Sequence, residues 1–271
     1  MKRLAILMST AIIGLSAAVT PCFAEKIVMT GSTTVLPIAQ KTAEVFMDEN
    51  PGMDISVRGG GSSVGITALI DGTCDIADSS RPIKEVEIQK ADANGRDPVA
   101  HIVALDGIAV VINKSNPISK LSKKQVKDIF IGKISDWSQL GGAPGKIVVV
   151  SRDTSSGTFE AFGELVMEKE KVIPAALMQA SNQAVAQIVS QTPQAIGYVG
   201  LGFMSSDLKA VEIDGVMPSK DTVLSGKYSV TRPLFMYSNG KPQGAVKEYL
   251  DFVKSKKGQE LVETQGYVGL K

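Results

Sequence analysis

Two kinds of apolar pattern alternate along the chain. Short β-branched runs predict strands at 26–30, 54–58, 74–77, 99–113, 146–150 and 195–199. Apolar residues recurring every three or four positions predict helices at 34–48, 63–72, 83–92, 122–130, 158–169 and 181–190. A last amphipathic helix is expected over 243–255, through Val246, Tyr249, Leu250 and Val253. Asn50-Pro51-Gly52 stops the first helix and Gly72 the second. The segment 227–237 ends in the apolar Leu234-Phe235-Met236-Tyr237. No internal repeat or low-complexity linker interrupts the pattern. Repeated strand–loop–helix units predict an α/β architecture with mainly parallel sheets. Residues 106–113 and 195–199 are the candidates to cross between two domains. Ligands of such sheets gather where strands run into helices.

Four loops at that kind of place are rich in glycine and hydroxyls. They are Thr30-Gly31-Ser32-Thr33-Thr34, Gly59-Gly60-Gly61-Ser62-Ser63, Asp78-Ser79-Ser80-Arg81 and Ser151-Arg152-Asp153-Thr154-Ser155-Ser156-Gly157-Thr158. A helix N-terminus presents unpaired N–H groups and partial positive charge. Add a guanidinium and several hydroxyls, and the loop suits a small tetrahedral oxyanion. Taken singly, each loop is more readily read as a helix cap, with Thr33 or Ser32 capping the first helix. Arg152 and Arg81 shift that balance. Asp106 interrupts an apolar run, where a bare carboxylate would be costly. It either pairs with an arginine or accepts the proton of a protonated oxyanion. Asp78 and Asp153 are expected to hold the arginines in place.

The N-terminus changes the composition. Lys2-Arg3, the apolar stretch 4–19 and Pro21-Cys22-Phe23-Ala24 read as a secretory signal cut after Ala24. Without it, two of the 29 basic side chains are gone and 27 face 28 acidic ones. That balance gives no basic footprint for nucleic acid. Cys22 leaves with the signal, so Cys74 stands alone and no internal disulfide is expected. Hydrophobic content of 44% excludes general disorder, and the remaining length suits one large or two medium domains.

Gly61-Ser62-Ser63-Val64-Gly65 also matches the nucleophile elbow of hydrolases, but His101 is the sole histidine and no acid-then-histidine order follows. There is no Walker lysine and no metal-ligand spacing. The methionines read as core fillers and Trp137 as a packing residue in a loop.

These residues carry a resemblance. The mature chain resembles the periplasmic phosphate-binding proteins of ABC-type phosphate importers, a branch of the two-domain solute-binding superfamily. Its specific parts are Gly31-Ser32-Thr33-Thr34, Gly61-Ser62-Ser63, Asp75-Ile76-Ala77-Asp78-Ser79-Ser80-Arg81-Pro82, the run from Asp128 to Trp137, and Arg152 to Thr158. The resemblance implies a type II periplasmic-binding fold: two α/β lobes with a hinge, closing over a dehydrated phosphate. The expected lobes are 25–109 with 202–271, and 110–201. Thr33, Thr34, Ser62 and Ser80 would contact the anion from the first lobe, and Arg152, Ser156, Gly157 and Thr158 from the second. Ser32, Arg81, Asp106 and Ser155 complete the candidate set. Known members carry an aspartate where this chain has Ser80; that carboxylate accepts the phosphate proton and so rejects sulfate. Either Asp106 replaces it or discrimination is weaker.

Micromolar affinity needs about 8 kcal/mol net. Roughly ten hydrogen bonds to a charged ligand would supply it, at about 1.5–3 kcal/mol each. No single loop offers ten donors, so both lobes must contribute. The expected protein is a monomeric, non-enzymatic, periplasmic receptor without a cofactor, which delivers phosphate to ABC permease subunits. The alternatives are a receptor for sulfate or molybdate, a secreted phosphatase or esterase using Ser63 or Ser156, and a structural surface protein.

Overall fold

The computed structural model describes residues 25–270, so the expected signal and its cleavage after Ala24 lie outside the described residues. The chain opens with β1 (Glu25–Gly31), α1 (Leu36–Glu49), β2 (Met53–Gly59), α2 (Ser62–Ile70), β3 (Ile76–Ser79) and α3 (Glu85–Ala93). The long β4 (Pro98–Asn113) follows, then β5 (Lys120–Leu121), α4 (Lys123–Phe130), β6 (Val148–Arg152) and α5 (Gly157–Leu165). Next come β7 (Leu177–Gln179), α6 (Asn182–Gln191), β8 (Ala195–Gly200), β9 (Leu208–Ala210), β10 (Glu212–Ile213) and α7 (Lys220–Leu224). β11 (Thr231–Asn239), α8 (Gly244–Lys254) and α9 (Lys256–Thr264) close the chain. None of these helices is long and apolar enough to cross a membrane.

One sheet path runs β2-β1-β3-β11-β4-β8-β6-β7, with β9 also paired to β4. Its flanks are parallel, as expected from the strand–loop–helix repeats. Its centre is not: β3–β11, β11–β4 and β4–β8 are antiparallel. The expectation of mainly parallel sheets therefore holds only for the flanks. The reason is topological, because β11 returns from the second half and inserts between β3 and β4 against their direction.

β4 belongs to both halves. Its residues 98–107 pair with β11, and Ile108–Ile112 pair with β8. The crossing expected at 106–113 is thus found, whereas β8 (195–199 in the sequence reading) lies wholly beyond it. Two large cores flank the crossing. The smaller packs Ile27, Met29, Ile38 and Phe46 against Leu234 and Tyr249; the larger gathers Ile108–Ile112, Trp137, Phe162 and Tyr198. Val211, Val223, Tyr228 and Val230 join that larger core.

Several local expectations shift. α1 begins two residues late, because Pro37 sits in its first turn and Ser32 Oγ is taken by the N–H groups of Thr34 and Val35. α5 stops at Leu165 instead of 169, and Glu168 and Lys169 adopt positive φ of 51° and 66°. α9 is not among the expected helices, and Gly258 lies inside it. That glycine is needed: a Cβ there would run into the carbonyl oxygens of Phe252 and Val253. Trp137 opens a 3-10 turn, is buried, and donates Nε1–H to the Gln194 carbonyl at 3.1 Å. Cys74 is a free, buried thiol, and burial pushes its pKa up to about 12.

Candidate anion-binding site

The loop before α1 and the N-termini of α2 and α5 converge between the halves. Each follows a strand whose last residue is fixed in the sheet, so the loops inherit their positions from β1, β2 and β6. Thr34 Oγ1 lies 2.9 Å from Thr158 Oγ1, and Ser62 Oγ lies 3.3 Å from Ser80 Oγ. Gly157 touches both serines: a Cβ there would overlap Ser62 Oγ and sit 2.7 Å from Ser80 Oγ. The backbone N–H groups of Thr33, Ser62 and Gly157 have no acceptor among the described residues.

Two buried arginines enter this cradle. Arg152, at the end of β6, is 1% exposed. Its Nε donates to the Gln179 carbonyl at 3.0 Å, and its Nη2 to the Ala180 carbonyl and to Thr33 Oγ1 at 3.0 and 3.2 Å. Its Nη1 is buried without a partner among the described residues. Burial pushes this guanidinium down to about 10, which leaves it cationic at neutral pH. Arg232, at the start of β11, donates Nη2–H to Thr158 Oγ1 at 3.0 Å and to Thr34 Oγ1 at 3.3 Å. Asn182 Nδ2 donates to Thr34 Oγ1 at 2.9 Å and Thr33 Oγ1 at 3.3 Å.

The direction of these bonds decides what the site can hold. A threonine hydroxyl has one proton to give and two lone pairs. Thr33 Oγ1 receives N–H donors from Arg152 and Asn182, so its own proton is free to point inward. Arg232 and Asn182 fill the Thr34 oxygen, so its proton goes to Thr158 Oγ1, and Thr158, which also accepts from Arg232, is the hydroxyl of that pair left with a free proton. The cradle is therefore an array of donors under net positive charge, suited to a desolvated anion.

Of the candidate residues, Thr33, Thr34, Ser62, Ser80, Arg152, Gly157 and Thr158 meet here. Ser156 stands behind them, with Oγ accepting from Thr158 and Phe159 N–H as the cap of α5. Ser32 serves the turn before α1, as described above. Ser155 Oγ donates to the Gly60 carbonyl at 3.1 Å and to Asp153. Arg81 turns away from the cradle to Glu87 and Glu160. Asp106 also faces away: Oδ1 accepts from Leu201 N–H at 3.0 Å and Oδ2 from Arg232 at 2.8 Å. Its contacts are with Leu201 and Arg232, and it bonds none of the cradle hydroxyls. Burial pushes this carboxyl up, and Arg232 draws it back down. Asp78 and Asp153 do not hold the arginines. Asp153 braces Ser155, and neither Asp78 oxygen has a partner among the described residues.

The PBP superfamily domain model matches residues 16–257. The chain belongs to the PBP superfamily. Within it, the chain is 35% identical over 243 residues to phosphate-binding protein PstS of Bacillus subtilis, covering 89% of this chain and 79% of that one. PstS of Borreliella burgdorferi is 31% identical over 260 residues, 91% of each chain. A solved Clostridium perfringens chain, assigned as a phosphate ABC transporter substrate-binding protein with bound phosphate, superposes with a TM-score of 0.86. It is 32% identical and covers 91% of this chain and all of that one. The fold is thus the two-lobed one of PBP proteins, with the cradle between the lobes.

Two residues of this PBP cradle escape a reading of the sequence by loops. Asn182 opens α6 after a segment with a single hydroxyl, and Arg232 precedes a proline at the start of a strand, not in a loop that opens a helix. The signal for Arg232 was indirect. A carboxylate inside the apolar run of β4 demands a cation, and Arg232 is its direct cross-strand neighbour. At the hydrolase elbow, Ser63 Oγ contacts Glu160 and Arg81, and His101 contacts Ser238 instead.

Proposed function

We propose that this protein captures inorganic phosphate outside the cytoplasmic membrane and delivers it to an ABC permease. The observation that carries the reading is the orientation of the cradle: hydroxyl lone pairs filled by arginine and asparagine N–H, leaving O–H protons, helix N-terminal N–H groups and Arg152 Nη1 as donors. The names of its relatives support phosphate as the anion. In this reading Thr33, Thr34, Ser62, Ser80, Arg152, Gly157 and Thr158 touch the anion, while Asn182, Ser156 and Arg232 orient them. The first lobe is 25–107 with 231–270 and the second 108–230, hinged where β4 and β11 leave their pairing, at 107–108 and 230–231. Closure joins donors from both lobes on one ligand, which neither lobe could hold alone.

A second reading has one observation in its favour. Among the described residues no carboxylate bonds a hydroxyl of Thr33, Thr34, Ser62, Ser80 or Thr158, which favours a broader oxyanion receptor. Calorimetric titration of the exported form with phosphate, with and without excess sulfate, separates the two. Micromolar or tighter binding untouched by sulfate supports the phosphate receptor. Competition by sulfate supports the broader one, and no heat with any oxyanion overturns both.

A further inference from the structure

Beside the cradle, a second set of contacts joins the lobes. Glu160, in the first turn of α5, lies in the second lobe. Its Oε2 is 2.6 Å from Lys84 Nζ and 2.9 Å from Arg81 Nε, both on the first lobe. The Arg81 contact is one of charge, without the alignment of a hydrogen bond. Ser63 Oγ donates to Glu160 Oε1 at 3.3 Å. Arg81 is itself held in place: Glu87 takes two bonds from it at 2.7 and 2.8 Å, and the Pro82 carbonyl and Ser63 Oγ take two more. Arg81 is 4% exposed and Glu160 17%, so these charges are only partly screened. A cavity of about 470 Å³ adjoins the cluster and separates α5 from the segment 81–85. On this side the lobes meet through charged side-chain tips rather than packed apolar surface.

Glu160 is a costly residue for an anion receptor. It places a carboxylate one helical turn from the N-terminus that faces the anion, where its charge repels the ligand. Three partners on the opposite lobe compensate it, and those partners are within reach only when the lobes are together. We propose that Glu160 is a positioning residue that latches the closed lobes over the bound anion through Arg81, Lys84 and Ser63. The latch rests on the phosphate-capture reading above. It acts on release: the contacts form after the anion has entered, so breaking them speeds dissociation and leaves association nearly untouched.

The isosteric Glu160→Gln variant tests this because two explanations of Glu160 differ in sign. Removing a repelling charge should tighten phosphate binding; opening a latch should weaken it. Exchange of labelled phosphate from the loaded protein is expected to be on the order of tenfold faster in Glu160→Gln, with association within about twofold of the parent. Adding Lys84→Met to Glu160→Gln should cost little more, since the two share one contact. Raising ionic strength should speed release from the parent and hardly affect the variant. Unchanged or slower release from Glu160→Gln, in a parent that binds phosphate, overturns the latch and leaves the receptor reading intact. A parent that binds no phosphate overturns both.

Discussion

Arg152 gives its Nε and Nη2 to backbone carbonyls and to a threonine, and its Nη1 is buried without a partner among the described residues. A buried cation fixed in this way cannot be replaced by solvent when its side chain is cut back. Arg152→Ala is expected to weaken phosphate binding at least tenfold, with a thermal midpoint close to the parent's; calorimetry and a melting curve check the two halves of that statement. Asp78 makes a different prediction. Its carboxyl is fully buried and unpartnered, and burial pushes its pKa well above the usual carboxylate range. The folded protein therefore keeps this proton when the unfolded chain has lost it. The associated stability is complete below the ordinary carboxylate pKa and is lost as pH rises. Thermal midpoints measured between about pH 5 and 8 should fall less steeply in Asp78→Asn than in the parent. Equal slopes would mean that Asp78 is ionised in the fold. From sequence, a buried aspartate beside two serines and an arginine reads as a brace for that arginine. Only the tertiary structure shows that Glu87 and Glu160 hold the arginine instead.

At the scale of elements, α5 carries the clearest case of local sequence fixing a site. A β-branched strand, a capping serine and a glycine at the first helical position were legible as an anion loop, and the structure keeps all three. The glycine matters because α5 approaches the first lobe end-on, against Ser62 and Ser80. Gly157→Ala should push the helix start away from those serines and weaken phosphate binding by about tenfold or more, without unfolding a helix that alanine favours. Titration of the variant checks this; parental affinity would remove Gly157 from the site. The elements that were not legible share a cause. α9, Asn182 and Arg232 depend on close approach between segments distant in sequence, and periodicity along one segment cannot report it. The parallel flanks follow from strand–loop–helix repeats, whereas the antiparallel centre follows from where β11 returns.

For the whole molecule, Asp106 and Arg232 face each other at the end of the β4–β11 pairing, next to the proposed hinge at 107–108 and 230–231. Arg232 also holds Thr34 of one lobe and Thr158 of the other, so one guanidinium ties the hinge to the cradle. Removing it leaves Asp106 buried without a countercharge, held only by the Leu201 N–H. Arg232→Met is expected to cost about 3–5 kcal/mol of stability, and Asp106→Leu in the same chain should recover much of it. Denaturant titrations of the single and double variants would show this, and equal stability of the two would refute it. The sequence contains one tryptophan, and Trp137 sits in the core of the second lobe. The protein thus has a built-in optical reporter confined to one half. Because β4 threads both lobes without a break, neither half can melt while the other keeps its central strand. Indole emission and far-ultraviolet dichroism should therefore trace a single denaturation curve, the dye-free signature of two lobes that unfold together.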